Sequence, residues 1–345
     1  MNLINVIKNP LEYIKAVPHH VQRSKIGAKY FNLKLRSIGI ELSNCCNLRC
    51  KMCTAQYVKK DTINVKLGFM SFSLFEKIIN ECAKLSIKLI GLNYSGESLL
   101  HPEIIKCLKY IGDTGEFICG FNTNGDLLAG DIRDAVIKNC KGTIGISIEG
   151  FQKTHESIRI GSRYNVLERN IKEFVEHRNR VSENMPQIKL NLTKTVQSVS
   201  EISEFIDYWL EWVDYVQINE CFDEHYRAKT SNTETDRILK GERLPCRDPL
   251  QYLAVLWDGR ITICCNDLRQ IGLPQLNAKE MSIEKIWKSK IYRKARYSQA
   301  NRDYLFPSFC EHCDEWVKHY IHNEYQNEKY KIIINGPNIR YYKAT

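Results

Sequence analysis

Cys46, Cys50 and Cys53 stand as C-x3-C-x2-C in the stretch ELSNCCNLRCKMC, residues 41–53. Three thiolates fall short of the four nitrogen or sulfur ligands that a structural zinc takes. They suit a [4Fe–4S] cluster, which cysteine thiolates hold, with one iron left open for a ligand from outside the protein. Cys45 breaks the spacing and reads as a bystander. A second set lies far along the chain: Cys246, Cys264, and Cys310-x2-Cys313 within FCEHCDEW. These four thiolates are a complete set, for a second cluster or for zinc. Cys310-x2-Cys313-x5-His319-x2-His322 is too compressed for a classical zinc finger, whose two halves lie about twelve residues apart.

The loops that carry these thiols need elements to position them. Short apolar, β-branched runs at 38–42, 89–94, 117–122, 144–148, 188–192 and 215–219 read as buried strands. Helical patterns separate them. One opens at Ser73-Leu-Phe-Glu76, read as a capping box, with Phe75, Ile78, Ile79, Cys82 and Leu85 on one face. Another is opened by Pro102, and a third runs over about 165–181. Repeated β-then-α alternation predicts an α/β fold with a parallel sheet and right-handed crossovers, whose chemistry sits at the C-terminal ends of the strands. The C-x3-C-x2-C loop leaves the first of those ends. The alternation stops after Asn219. YLAVLWDGRITICC then reads as a β-hairpin turning at Asp258-Gly259, followed by a helix near 283–297.

At 345 residues and 43% hydrophobic content the chain can bury a core without disulfide staples. It shows neither a secretory signal pattern nor an apolar run of the ~18 residues that span a bilayer, so the expectation is a cytoplasmic protein with reduced thiols. Residues 1–36 carry seven Lys/Arg against Glu12 alone, a basic N-terminal arm suited to an anionic surface or to packing on the main domain. Cys82, Cys107, Cys119 and Cys140 fall within elements and read as core. Cys221 follows Asn219-Glu220 at the end of the sixth strand, where a thiol either packs or faces the barrel mouth.

The three-cysteine loop resembles that of the radical S-adenosylmethionine (SAM) superfamily, and the order of further motifs agrees. Ser95-Gly96-Glu97-Ser98 follows the second strand where relatives carry Gly-Gly-Glu-Pro, Asn122-Thr-Asn-Gly125 ends the third, and Ser147-Ile-Glu149-Gly150 ends the fourth. The resemblance implies a partial (β/α)6, TIM-like barrel over 37–221, a [4Fe–4S] cluster on Cys46, Cys50 and Cys53, and SAM contacts from Gly96, Glu97, Asn124, Ser147 and Arg159. Met52 takes the place of an aromatic residue near the adenine. After a linker at 222–240, residues 241–320 resemble the SPASM/Twitch-type module, a small β-hairpin and helix domain in which Cys246, Cys264, Cys310 and Cys313 would hold one auxiliary [4Fe–4S] cluster. The Gly259-x4-Cys spacing favours Cys264 over Cys265. Residues 321–345 are expected to be a C-terminal tail.

In that family a SAM-derived radical abstracts a substrate hydrogen, with a flavodoxin- or ferredoxin-type reductant implied. The single-cluster pattern looks most like the Twitch dehydrogenases of aminocyclitol pathways, so the expectation is two-electron oxidation of an alcohol on a sugar, nucleotide sugar or cyclitol. Glu220 and His225 are candidates to take the hydroxyl proton, and Tyr94, Asn191 and Thr193 candidates to line the substrate site. Three alternatives stand beside it: epimerisation with Cys221 as hydrogen donor, peptide modification, and a zinc-stabilised binding protein whose basic arm recognises nucleic acid. About 36 residues precede the first strand, short for the leader-binding domain that peptide-modifying relatives often carry.

Overall fold

A computed structural model describes residues 33–53, 55, 66–114, 117–182, 185–221, 243–264, 267, 272–311, 313, 316, 322–335 and 338–344. Six parallel strands follow one another in space as in sequence: β1 (Ser37–Ile40), β2 (Leu89–Gly91), β3 (Ile118–Thr123), β4 (Thr143–Ser147), β5 (Gln187–Lys194) and β6 (Tyr215–Glu220). The helices between them are α1 (Phe72–Lys84), α2 (Ile104–Thr114), α3 (Gly130–Asn139), α4 (Gln152–Ile158), α5 (Tyr164–Val181) and α6 (Ile202–Trp209). The sheet curves without closing, which makes it a partial barrel.

Alternation along each strand decides what faces what. Ile38, Ile40, Ile144, Ile146, Ile188 and Leu190 belong to the fully buried core shared with the helices. Phe75, Ile78, Ile79 and Cys82 supply its α1 side. Each such aliphatic or aromatic side chain contributes about 1.5–3 kcal/mol on burial. Cys107, Cys119 and Cys140 are buried in the same core. The α1 cap differs from the sequence expectation. Ser71, in extended conformation, accepts from Leu74 N at 3.3 Å, and Ser73 lies inside the first turn.

Both open edges of the barrel are covered, and the C-terminal half does the covering. The hairpin β7 (Tyr252–Val255) and β8 (Ile261–Thr262) joins β1 through a parallel β7–β1 pairing. The second module therefore shares one sheet with the barrel. Helices α7 (Ile283–Lys288) and α8 (Lys290–Asn301) follow, where one helix was expected; Ser289 caps the second, accepting from Tyr292 N. The expected tail is a three-stranded meander, β9 (His322–Gln326), β10 (Tyr330–Asn335) and β11 (Asn338–Lys343), with β11 antiparallel to β6. An open barrel leaves a row of unpaired backbone groups on its last strand, and the meander satisfies them. The linker 222–240 and residues 1–32 of the basic arm lie outside the described residues. Among the described residues no helix is long and apolar enough to cross a membrane.

Candidate functional site

The loop after β1 is bolted down on two sides. Arg49 N donates to Ile160 O and Lys51 N to Ile158 O, both at 2.9 Å, which pairs the loop with the end of α4 and the residues just after it. Leu48 is buried beneath it. On the other side Glu97 N donates to Cys45 O at 2.7 Å. A Cβ at position 96 would lie 2.3 Å from Ser43 O and 2.6 Å from Cys45 O, so glycine lets the two loops meet. Cys46, Cys50 and Cys53 are all partly exposed and line one cavity of about 430 Å³ at the C-terminal ends of the strands. Met52, Gly96, Glu97, Asn124, Ser147, Arg159, Glu220 and Cys221 line the same cavity, as do Tyr94 and Thr193.

Each of these groups has a defined environment. Glu97 is 3% exposed, and its carboxylate accepts from Thr123 Oγ1 (2.8 Å), Asn124 N (2.8 Å) and Leu99 N (3.1 Å). Burial raises its pKa and these donors oppose the rise. A carboxylate has about four acceptor positions, so one remains for an ammonium in the cavity. Asn124 Nδ2 donates to Asn47 Oδ1 at 2.8 Å, tying the end of β3 to the cysteine loop. Arg159 forks onto Glu149 Oε1 (2.7 and 3.2 Å) and presents Nη1 to Cys50 Sγ at 3.7 Å. Burial pushes the Cys50 thiol up to about 11 while Arg159 pulls it down. A guanidinium at that distance favours the thiolate that a cluster needs. Glu220 is buried and paired with Lys194 at 2.5 Å, and Cys221 is 2% exposed. Asn191 is turned to Asn122, its Nδ2 donating at 3.1 Å, and does not line the mouth. His225 lies outside the described residues.

The second set also comes together. Cys246, Cys264, Cys310 and Cys313 line one small cavity with Arg243, Gln299 and Trp316. Gln299, fully buried on α8, accepts from Cys246 N at 3.0 Å. Arg243 donates to the carbonyls of Cys310 and Glu311 at 2.5 and 2.7 Å. Burial pushes the Cys310 thiol up to about 12. Cys265 lies outside the described residues. The three thiols of the first set share one cavity and the four of the second another. Donor chemistry and placement thus fit a three-thiol and a four-thiol cluster site.

Tyr94 joins the two. Its ring lines the first cavity and its hydroxyl is 3.1 Å from Cys264 O and 2.8 Å from Asp267 O. The sequence reading placed Tyr94 at a strand end without this bridging role. It also passed over Asn47, Thr123, Glu149 and Lys194. Asn47, Thr123 and Glu149 stand in stretches already singled out, in the cysteine loop, in Asn122–Gly125 and two residues after Ser147, whereas nothing near Lys194 in sequence marks it; all four hold site residues through contacts distant in sequence.

Residues 40–194 match the profile of the radical SAM superfamily and residues 246–314 that of an iron-sulfur cluster-binding domain, SPASM. The tungsten-containing aldehyde ferredoxin oxidoreductase cofactor-modifying protein of Pyrococcus furiosus is 24% identical over 319 residues, 81% of this chain and 87% of that protein. Streptococcus suis SuiB bound to its precursor peptide SuiA superposes with a TM-score of 0.62 at 16% identity, over 78% of this chain and 69% of that one. BtrN in complex with AdoMet and 2-DOIA superposes with a TM-score of 0.54 at 14% identity, over 81% and 92%. The chain belongs to the radical SAM superfamily and carries a SPASM-type auxiliary iron–sulfur domain at its C-terminal end.

Proposed function

We propose that this radical SAM enzyme oxidises an alcohol carbon of a small polar substrate, a sugar, nucleotide sugar or cyclitol, by two electrons. Family membership implies a [4Fe–4S] cluster with SAM and auxiliary iron–sulfur binding. When bound, the reduced cluster and SAM supply a 5′-deoxyadenosyl radical able to take hydrogen from an unactivated carbon. The rest is this chain's work. Cys46, Cys50 and Cys53 are the proposed ligands of the first cluster, with Arg159 favouring the thiolate of Cys50. Glu97, Asn124, Ser147, Gly96 and Met52 form the proposed SAM pocket. Asn93, Asn122, Asn219 and Thr193 line the same cavity and are residue types that suit hydroxyl groups.

Turning an alcohol into a ketone releases a hydrogen atom, a proton and an electron. Glu220, paired with Lys194, is the proposed proton acceptor. Cys246, Cys264, Cys310 and Cys313 hold the proposed electron acceptor, one [4Fe–4S] cluster. The observation that carries the oxidation is Tyr94, which lines the mouth and bonds the backbone of the four-cysteine site. A flavodoxin- or ferredoxin-type protein is the proposed reductant. The test is iron, sulfide and zinc content with Mössbauer spectra on anaerobically reconstituted protein, wild type against a variant with all four C-terminal cysteines changed to Ala. The expected result is about eight irons per wild-type chain, two [4Fe–4S] clusters, with about half lost in a variant that still cleaves SAM. Zinc in place of the second cluster would overturn electron acceptance there.

A second reading rests on Cys221, which is buried and lines the same cavity as the cluster thiols. A thiol there can return a hydrogen atom to the opposite face of a substrate radical, which is epimerisation, and the thiyl radical left on Cys221 would be restored by one electron from the proposed reductant and a proton. Solvent deuterium in the product, lost in Cys221→Ala, would favour that reading over oxidation.

A further inference from the structure

The inside of the barrel below the mouth is not filled as barrels usually are. Branched side chains normally occupy the inward layers of such a barrel. Here Gly39, Gly91 and Gly120 stand side by side in register on β1, β2 and β3, and Gly145 stands between Asn122 and Lys189 on β4. Gly91 and Gly120 line a cavity of about 340 Å³ at the opposite end of the strands from the cysteines, while the room beside Gly39 is taken by the Tyr252 hydroxyl and that beside Gly145 by Asn122. Lys189, Asn122, Thr143 and Tyr252 line it, and Asn93 and Asn122 line both this cavity and the mouth.

No carboxylate lines this cavity, and a second cation, Arg340, comes to the same face from β11 without lining it. Lys189, on β5, is opposite Tyr215 on β6, and Arg340, on β11, is opposite Gln217 two residues further along β6, so all four lie on one face. Arg340 Nε donates to Gln217 Oε1 at 2.9 Å, and its guanidinium sits 5.8 Å from the centre of the Tyr215 ring. Among the described residues the Lys189 side chain has no hydrogen-bonded or ionic partner. The nearby Asp214 is committed to Arg178 and to Ile188 N. Burial, then the charge of Arg340, depress Lys189 to about 8. Like charges held half out of water without a counter-ion are costly, and an anion between them removes that cost.

We propose that this end of the barrel is a binding site for a small oxyanion, a phosphate or carboxylate group, held between Lys189 and Arg340 and reached from outside the catalytic mouth. The meander β9–β11 then does more than cover an edge, because it brings the second cation. The test titrates inorganic phosphate, and separately acetate, into the reconstituted full-length chain at pH 7, with ionic strength held constant by chloride, and reads the heat. One saturable site per chain is expected, weakened about tenfold or more by Lys189→Met and by Arg340→Gln, the loss of one charged hydrogen bond. Phosphate alone binding assigns a phosphate ligand, and acetate alone a carboxylate. NMR of labelled lysine in the wild type gives a readout that needs no variant to fold: the Lys189 amine should titrate at higher pH when the site is filled. Absence of saturable binding by both anions, or equal affinity in wild type and both variants, overturns the proposal. None of these readouts depends on turnover, so they stand apart from the proposed oxidation.

Discussion

Gly96→Ala tests the idea that the site is assembled by one close approach between two loops. The added methyl carbon would lie 2.3 Å from Ser43 O, 2.6 Å from Cys45 O and 2.7 Å from Asn44 C. All three are backbone atoms, so no side chain can swing aside, and one loop must move. Overpacking of this kind costs about 1–3 kcal/mol. The displacement also stretches the 2.7 Å bond from Glu97 N to Cys45 O, a further loss of about 1 kcal/mol. The expected destabilisation is about 2–4 kcal/mol, or roughly 3–6 °C in the melting temperature of a chain this size. Gly91→Ala, at the end of β2 just before that loop, is the control: its nearest contacts would be ordinary ones, Asn93 Oδ1 at 3.8 Å and Ile38 O at 3.9 Å. That variant should match wild type or gain up to about 1 kcal/mol by restricting the unfolded chain. Thermal unfolding of the three cluster-free proteins separates packing from cluster binding. Iron retained after reconstitution, with the four C-terminal cysteines changed to Ala, then reports on the Cys46, Cys50 and Cys53 loop alone, and Gly96→Ala should retain the least. A Gly96→Ala protein that unfolds within about 0.5 kcal/mol of wild type and loads iron equally would refute the close-approach argument.

Tyr94→Phe removes the hydroxyl that bonds Cys264 O and Asp267 O, so the reduced-state EPR signal lost in the four-cysteine variant should shift while the signal of the first cluster stays unchanged; no shift would mean that Tyr94 does not hold that loop. Arg178 makes a fork to Asp214 at 2.8 and 3.2 Å from a side chain that is 3% exposed, and Arg178→Met should cost about 2 kcal/mol in urea unfolding by leaving the partly exposed carboxylate with only the bond from Ile188 N. His155, fully buried between Glu149 N and Ser162 Oγ, has its pKa lowered by desolvation to about 3 from 6.5. Between those values the unfolded chain binds a proton that the folded chain does not, so His155 stabilises the fold above pH 6.5 and that contribution falls as pH drops toward 3. The slope is about 1.4 kcal/mol per pH unit well below 6.5, read as the difference between wild type and His155→Gln; parallel stability curves would contradict it.

Much of this protein is legible without its structure because the signals are local. The β-then-α alternation placed all six barrel strands to within a few residues, since a buried parallel strand must be a short apolar run and a surface helix must repeat its apolar face. The two cysteine sets are legible for the same reason: a cluster dictates residue type, and a tight loop dictates spacing. What tertiary structure alone decided is which distant segments complete the site. YKIIIN and NIRYYK carry no mark that they would cap β6, because the demand for a partner arises from the open edge of a strand more than a hundred residues earlier. Arg159 against Cys50, Lys194 on Glu220 and Tyr94 beneath Cys264 are likewise ordinary polar residues in sequence. Their roles come from the register that sets facing strands and loops a few ångströms apart, and register is settled by the packing of the whole barrel.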